Sequence, residues 1–219
     1  MIGDWNLFAI FAAALTGYML GNVQTALIIS RIQFKDDVRL YGSGNAGTTN
    51  MIRVYGKYYG LLTFIGDAGK CVIGFFLGRL LAQFLQLNVA DPALSVLFGG
   101  YIASTAVVVG HCYPILFQWK GGKGAASAFA MMWCLCWQAA LLSTVLAIAV
   151  FFAWKRVSLV SVLTAISYLI ATYIAWVLGY ADAYIMWFVF PVVALILFRH
   201  KDNIRRLLRG EEKAITPKK

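Results

Sequence analysis

Two glycine-rich stretches carry hydroxyl, amide and cationic side chains at a density suited to gripping an anion. The first is Gly42-Ser-Gly-Asn-Ala-Gly-Thr-Thr-Asn-Met-Ile-Arg53, and the second is Gly110-His-Cys-Tyr-Pro-Ile-Leu-Phe-Gln-Trp-Lys-Gly-Gly-Lys-Gly124. Glycine lets backbone N–H groups converge on a negative charge, and Ser, Thr, Asn, Lys and Arg supply further donors. The first stretch has the Gly42-x-x-x-x-Gly47 spacing of a nucleotide-binding P-loop but places Thr48 where that loop needs lysine, which argues against an ATP site. A helix starting near Thr49 would add its positive dipole end and bring Arg53 one turn on. In the second stretch Lys120 and Lys123 are separated by glycines, a spacing that suits a dianionic phosphate better than a carboxylate. Polar turning and anchoring to anionic headgroups are the plainer uses of these loops.

The elements that must hold these loops are hydrophobic. Of 219 residues, 61% are hydrophobic and 13% charged, where a soluble domain carries about 25% charged residues. Apolar runs fall at about 5–30, 59–87, 93–110, 125–153, 158–180 and 183–199, several beyond the roughly 20 residues that cross a bilayer as a helix. The chain reads as an all-α polytopic membrane protein, one domain over 1–219 with a tail from 200. The start lacks a basic region, so no cleavable signal is expected. Gly17-x-x-x-Gly21 and Gly74-x-x-x-Gly78 are spacings for close helix packing. The four cysteines have no metal-ligand spacing and read as small packing residues. Neither a metal nor an organic cofactor is expected, and no nucleic-acid partner.

Charge sets the orientation. The net charge is +10, and the cations gather in 31–57, at Lys120 and Lys123, at Lys155 and Arg156, and in the tail from Arg199. The positive-inside rule puts these in the cytoplasm, with the N-terminus outside and the C-terminus inside. Lys120 and Lys155 then share a face only if 125–153 crosses twice, as two short helices turning near Trp137-Gln138. That makes about seven spans.

Asp67 and Lys70 lie well inside the second run at an i, i+3 spacing that puts both on one helix face, as a structural ion pair supporting the site. Ser158 and Ser161 follow Arg156 and suit either a helix cap or a ligand hydroxyl. The tail from Arg199 fits an amphipathic surface helix, though taken alone a solvated basic tail is the better reading.

The ordered set Gly-Ser-Gly-Asn-Ala-Gly-Thr-Thr-Asn-x-x-Arg, Gly-His-x-x-Pro-x-x-x-x-x-Lys-Gly-Gly-Lys-Gly, Arg-x-Ser-Leu-x-Ser and Arg-His-x-x-Asn-Ile-x-Arg-Leu-x-x-Gly-x-Glu resembles the bacterial glycerol-3-phosphate acyltransferases of the PlsY family. The likeness covers the whole chain. Thr48, Cys71 and Glu211 depart from that pattern without removing a cation. The resemblance implies transfer of an acyl group from acyl phosphate to the 1-hydroxyl of sn-glycerol 3-phosphate, the first committed step of phospholipid synthesis. It implies a seven-helix fold in the bacterial inner membrane with its site at the cytoplasmic face; a donor-synthesising enzyme is a candidate partner. By position, Ser43, Gly44, Asn45, Thr49, Asn50 and Arg53 would hold acyl phosphate. Arg53, Lys120, Gly121, Gly122, Lys123, Gly124, Ser158, His200 and Asn203 would serve glycerol 3-phosphate. Ser43, Asn45, Arg53 and Lys123 would carry the chemistry, and Glu212 would brace the tail. No His-x-x-x-x-Asp dyad is present, because Leu116 and Arg205 occupy the positions where the aspartate would stand. An acyl phosphate could accept the hydroxyl proton on its own phosphate instead. A transporter of a small phosphorylated metabolite is the alternative, and it would need access from both faces.

Overall fold

The computed structural model describes residues 4–89 and 91–215, and among these its regular structure is helical, with no strand. The first three residues of the signal reading and the last four of the tail lie outside them. Ten α-helices follow in order: α1 (Asp4–Gly21), α2 (Thr25–Phe34), α3 (Thr48–Tyr55), α4 (Lys57–Phe84), α5 (Pro92–Cys112), α6 (Ala125–Leu135), α7 (Trp137–Trp154), α8 (Val157–Val177), α9 (Met186–Arg199) and α10 (Lys201–Leu208).

The centre is a triplet of α1, α4 and α5. Small residues let it close. A Cβ at Gly17 would overlap the Ala103 carbonyl and one at Gly78 the Gly99 carbonyl, while Gly21 and Gly74 abut Val107. The second side of the bundle pairs α7 with α8, and α8 with α9, while α6 packs on α4. Large apolar side chains such as Phe11, Ile73, Leu142, Phe152 and Val177 stay exposed, as they would toward lipid.

Among the described residues five helical segments are long and apolar enough to span a bilayer, and the α9–α10 pair, bent by 61°, makes a sixth. The expected seventh is α6, at 11 residues a rod of about 16 Å that is too short for a ~30 Å core. The 125–153 run is divided as expected, but the break is at Cys136 and the two helices are unequal.

The first run differs more. It extends to Phe34, and α1 and α2 are interrupted at Asn22–Gln24. An interruption inside an apolar bundle strands carbonyls that must find donors. Lys70 Nζ lies 3.2 Å from the Gly21 carbonyl and 2.6 Å from that of Val23, and Gln24 Nε2 reaches the Gly21 and His111 carbonyls at 3.1 Å each. The tail differs too: α10 turns back onto α8 and α9 rather than extending as a solvated strand.

Candidate active site

All the basic loops gather at one end of the bundle. The loop before α3 is folded by Asn50, whose Oδ1 accepts from the Ser43 N–H at 2.8 Å and whose Nδ2 donates to the Val38 and Tyr41 carbonyls at 3.0 and 3.1 Å. Asn50 is fully buried and all its polar capacity faces the loop. It shapes the Gly42–Gly47 turn and also lines the cavity between the two loops. Arg39 ties this loop to the second: it pairs with Asp37 at 2.7 Å and its Nη1 donates to the Lys120 carbonyl at 3.2 Å. The Arg39 guanidinium holds the Asp37 carboxyl down at about 2.

In the second loop the glycines serve close approach. The Gly122 N–H donates to the His111 carbonyl at 3.1 Å, so that amide is already used. A Cβ at Gly122 would overlap His111 Nε2, and one at Gly121 the His111 carbonyl. The carbonyls of Gly121 and Gly122 accept from the Arg199 guanidinium at 3.2 and 2.8 Å. Only Gly124 is forced by its backbone: φ is +80° where the loop turns into α6.

Between these loops lies a cavity of about 320 Å³. Ser43, Asn45, Thr49, Arg53, Lys123 and Gly124 form part of its wall, with Ser158, His200, Asn203 and Glu212 opposite. The remaining wall is mostly apolar, with Phe64, Phe129, Met132, Ala147, Val160 and Ala165, and is interrupted by polar residues that include Thr48, Asp67, His111 and Thr164. A wider vestibule of about 960 Å³ adds Gly44, Lys120 and Gly121. Ser43, Asn45, Arg53, Lys123, Asn203 and Glu212 line both. Gly122 and Lys70 line neither; they stand behind His111 and Asp67, which do.

Helix geometry adds to the positive field. The first turns of α3 (Thr48, Thr49), α6 (Ala125, Ala126) and α8 (Val157, Ser158) all reach the inner cavity, and each helix start carries about half a positive charge. Arg53 has no ion-pair partner among the described residues. Burial, together with the nearby Arg206, Arg199 and Arg53, pushes the Lys123 ammonium down to about 8 against the pull of Glu212. A site whose clustered cations depress a lysine in this way suits negative charge.

The tail closes the site through Glu212. Its Oε1 accepts from Ser158 Oγ and Asn203 Nδ2, each at 2.7 Å, and its Oε2 from Arg206 Nε at 2.6 Å. Asn203 Oδ1 in turn accepts from Lys123 Nζ. Ser158 therefore neither caps α8 nor stands free, and Ser161 bonds back to the Val157 carbonyl at 3.0 Å. His200 Nδ1 is bonded to the Ile196 carbonyl at 2.8 Å.

Sequence reasoning passed over three wall residues. His111 was read only as part of a turn; Thr48 and Thr164 bury hydroxyls without a partner on the cavity wall. A second ionisable group level with Asp67 and Lys70 was the available signal for His111.

Comparison with known proteins places this architecture. Residues 11–210 match the family model described as glycerol-3-phosphate acyltransferase. A glycerol-3-phosphate acyltransferase of Neisseria meningitidis serogroup C is 35% identical over 213 residues, covering 97% of this chain and all of that one. One from Alkaliphilus metalliredigens is also 35% identical, over 96% of both chains. The crystal structure of PlsY, an integral membrane glycerol 3-phosphate acyltransferase, in its glycerol 3-phosphate form superposes with a TM-score of 0.75 at 31% identity over 96% of both chains. Its lysophosphatidic acid form gives 0.74 over 94% of both. With likeness in sequence and in fold running nearly end to end, this chain belongs to the glycerol-3-phosphate acyltransferase family.

Proposed function

We propose that the chain moves a fatty acyl group from acyl phosphate to the 1-hydroxyl of sn-glycerol 3-phosphate, at the cytoplasmic face of a bacterial inner membrane. The observation that carries this reading is the single wall shared by Arg53 and Lys123. It joins a vestibule rich in charged residues to a cavity whose lining is mostly apolar. Such a wall suits one soluble phosphate and one phosphate with an acyl chain.

The hydroxyl oxygen attacks the acyl carbonyl carbon, a new C–O bond forms, and the bond to the phosphate oxygen breaks with its electron pair. The hydroxyl proton ends on the departing phosphate. The side chains around the cavity support this proton route. Glu212 already accepts three hydrogen bonds, His200 Nδ1 is bonded to a carbonyl, and Asp67 is paired with Lys70 at 3.1 Å. His200 Nδ1–H donates to that carbonyl, which leaves Nε2 with a lone pair, but the donor's own phosphate oxygens lie next to the attacked carbon. Arg53, Lys123 and the helix starts then bring two anions together and offset their repulsion. Ser43, Asn45 and Thr49 fit the acyl-phosphate side; Lys120, Lys123 and Asn203 fit the glycerol 3-phosphate side.

Purified protein given acyl phosphate and glycerol 3-phosphate should release inorganic phosphate and lysophosphatidic acid in equal amounts. Product from acyl-CoA or acyl-carrier protein with none from acyl phosphate would overturn the donor. Glycerol 3-phosphate flux through proteoliposomes without either product would favour transport.

A further inference from the structure

On the cavity wall Asp67 and His111 form a buried cluster with Lys70, each at most 5% exposed. Lys70 Nζ faces four acceptors: the Val23 and Gly21 carbonyls, Asp67 Oδ1 at 3.1 Å and His111 Nδ1 at 2.9 Å. A neutral amine has two N–H groups, too few even for the three oxygens, so the group is an ammonium. An ammonium only donates. His111 Nδ1 stands 2.9 Å from this donor and 3.5 Å from Asp67 Oδ1. Facing the ammonium more closely than the carboxylate, it presents its lone pair to Lys70 as one of four acceptors sharing three N–H groups, which leaves the ring proton on Nε2. That nitrogen lies against Gly122, on the side of the ring where the second loop passes the Ala46 carbonyl of the first. Among the described residues Nε2 has no hydrogen-bond partner, although His111 belongs to the cavity wall.

We propose that His111 Nε2–H is a further catalytic group: it donates a hydrogen bond to the acyl carbonyl oxygen as that oxygen gains charge, and Lys70 is the positioning residue that fixes the tautomer. The inference rests on the acyl-transfer reading above. The phosphates have Arg53, Lys123 and helix starts, while the carbonyl oxygen has no donor assigned to it. A neutral, preorganised N–H between the two loops matches a charge that exists only in the transition state.

The test uses the full chain in detergent or lipid. The sequence holds two histidines, so nitrogen-15 histidine labelling, with a His200→Gln sample for assignment, reads the tautomer directly. The expected result is a protonated Nε2 and a bare Nδ1 at His111; the reverse overturns the proposal. His111→Gln keeps an N–H near Nε2 and should hold kcat within about tenfold, whereas His111→Leu should lower it by about 100–1,000-fold. Equal losses in both variants, or losses confined to KM, would also overturn it. If His111→Leu does not fold, the tautomer and the His111→Gln kinetics decide. Turnover of acyl phosphate by the unsubstituted chain is measured first. Its absence defeats the donor reading alone, because the tautomer and the kcat comparison apply with whichever donor reacts.

Discussion

Ser158 at the start of α8 donates to Glu212, beyond the end of α10, at 2.7 Å. That bond, with those from Asn203 and Arg206, makes one carboxylate the joint between the tail and the cavity. Glu212 is 6% exposed, so cutting it leaves two buried donors and a guanidinium without their acceptor. Hydrogen bonds to a charged group contribute roughly 1.5–3 kcal/mol each and are not additive. Glu212→Ala should therefore lower Tm and reduce kcat/KM by at least tenfold. Glu212→Gln keeps an acceptor for Ser158 and Asn203 and should lose less. Equal activity of Glu212→Ala and the unsubstituted enzyme would separate the tail from the site.

Acid should act on the same joint. Burial pushes the Glu212 carboxyl up, but the hydrogen bonds from Ser158, Asn203 and Arg206 outweigh it and hold it below its ordinary range. A depressed carboxyl gives stability that is complete above the unfolded value and fades as pH falls through the folded one. The Tm difference between the unsubstituted protein and Glu212→Gln should be widest near neutrality and shrink below about pH 4.5, near the ordinary carboxyl value.

Lys123 gives the opposite limb. With its ammonium pushed down to about 8, the empty enzyme loses this cation in mildly alkaline solution. Phosphate binding needs the cation, so binding above that pH must take up a proton. KM for glycerol 3-phosphate should rise about tenfold per unit once pH exceeds 8, with kcat at saturation changing less. Lys123→Arg stays charged and should flatten the rise, even where its geometry slows turnover. A flat KM from pH 7 to 9.5 in the unsubstituted enzyme would exclude Lys123 from the phosphate.

Much of this fold was legible because lipid imposes one rule on every span. The apolar runs and the close helix packing at Gly17–Gly21 and Gly74–Gly78 follow from it, while the division of 125–153 was read from the placement of charge. The interruption at Asn22–Gln24 was not legible. Asn22 Nδ2 and Gln24 Nε2 satisfy the Tyr18 and Gly21 carbonyls locally, at 2.8 and 3.1 Å, but the break is completed by Lys70, a residue 47 to 49 positions away. The tail misled for a similar reason: Lys201–Leu208 looks solvated until Asn203 meets Lys123 and Glu212. At the candidate site, residue types revealed which loops matter but not how each residue is used. Asn50 and Gly122 carry the motif yet spend their polar groups on the protein itself.

That division between holding and binding can be measured at Asn50 and Gly122. Asn50→Ala removes an acceptor from the Ser43 N–H and donors from two buried carbonyls, at about 1–3 kcal/mol for each group left unsatisfied. The Gly42–Gly47 turn should loosen, lowering Tm and raising KM for acyl phosphate together. Asn50→Asp is the sharper case: it keeps the acceptor for Ser43 but aims a carboxylate at the Val38 and Tyr41 carbonyls, so it should be at least as damaging as alanine. Gly122→Ala drives a methyl into His111 Nε2, with the Ala46 carbonyl close behind. Because the ring is pinned by Lys70 and cannot swing away, the loop must give, moving Lys123 with it. KM for glycerol 3-phosphate should then rise by an order of magnitude or more while the protein still folds. A phosphate-binding role for the Asn50 amide would instead show as lost affinity at unchanged Tm.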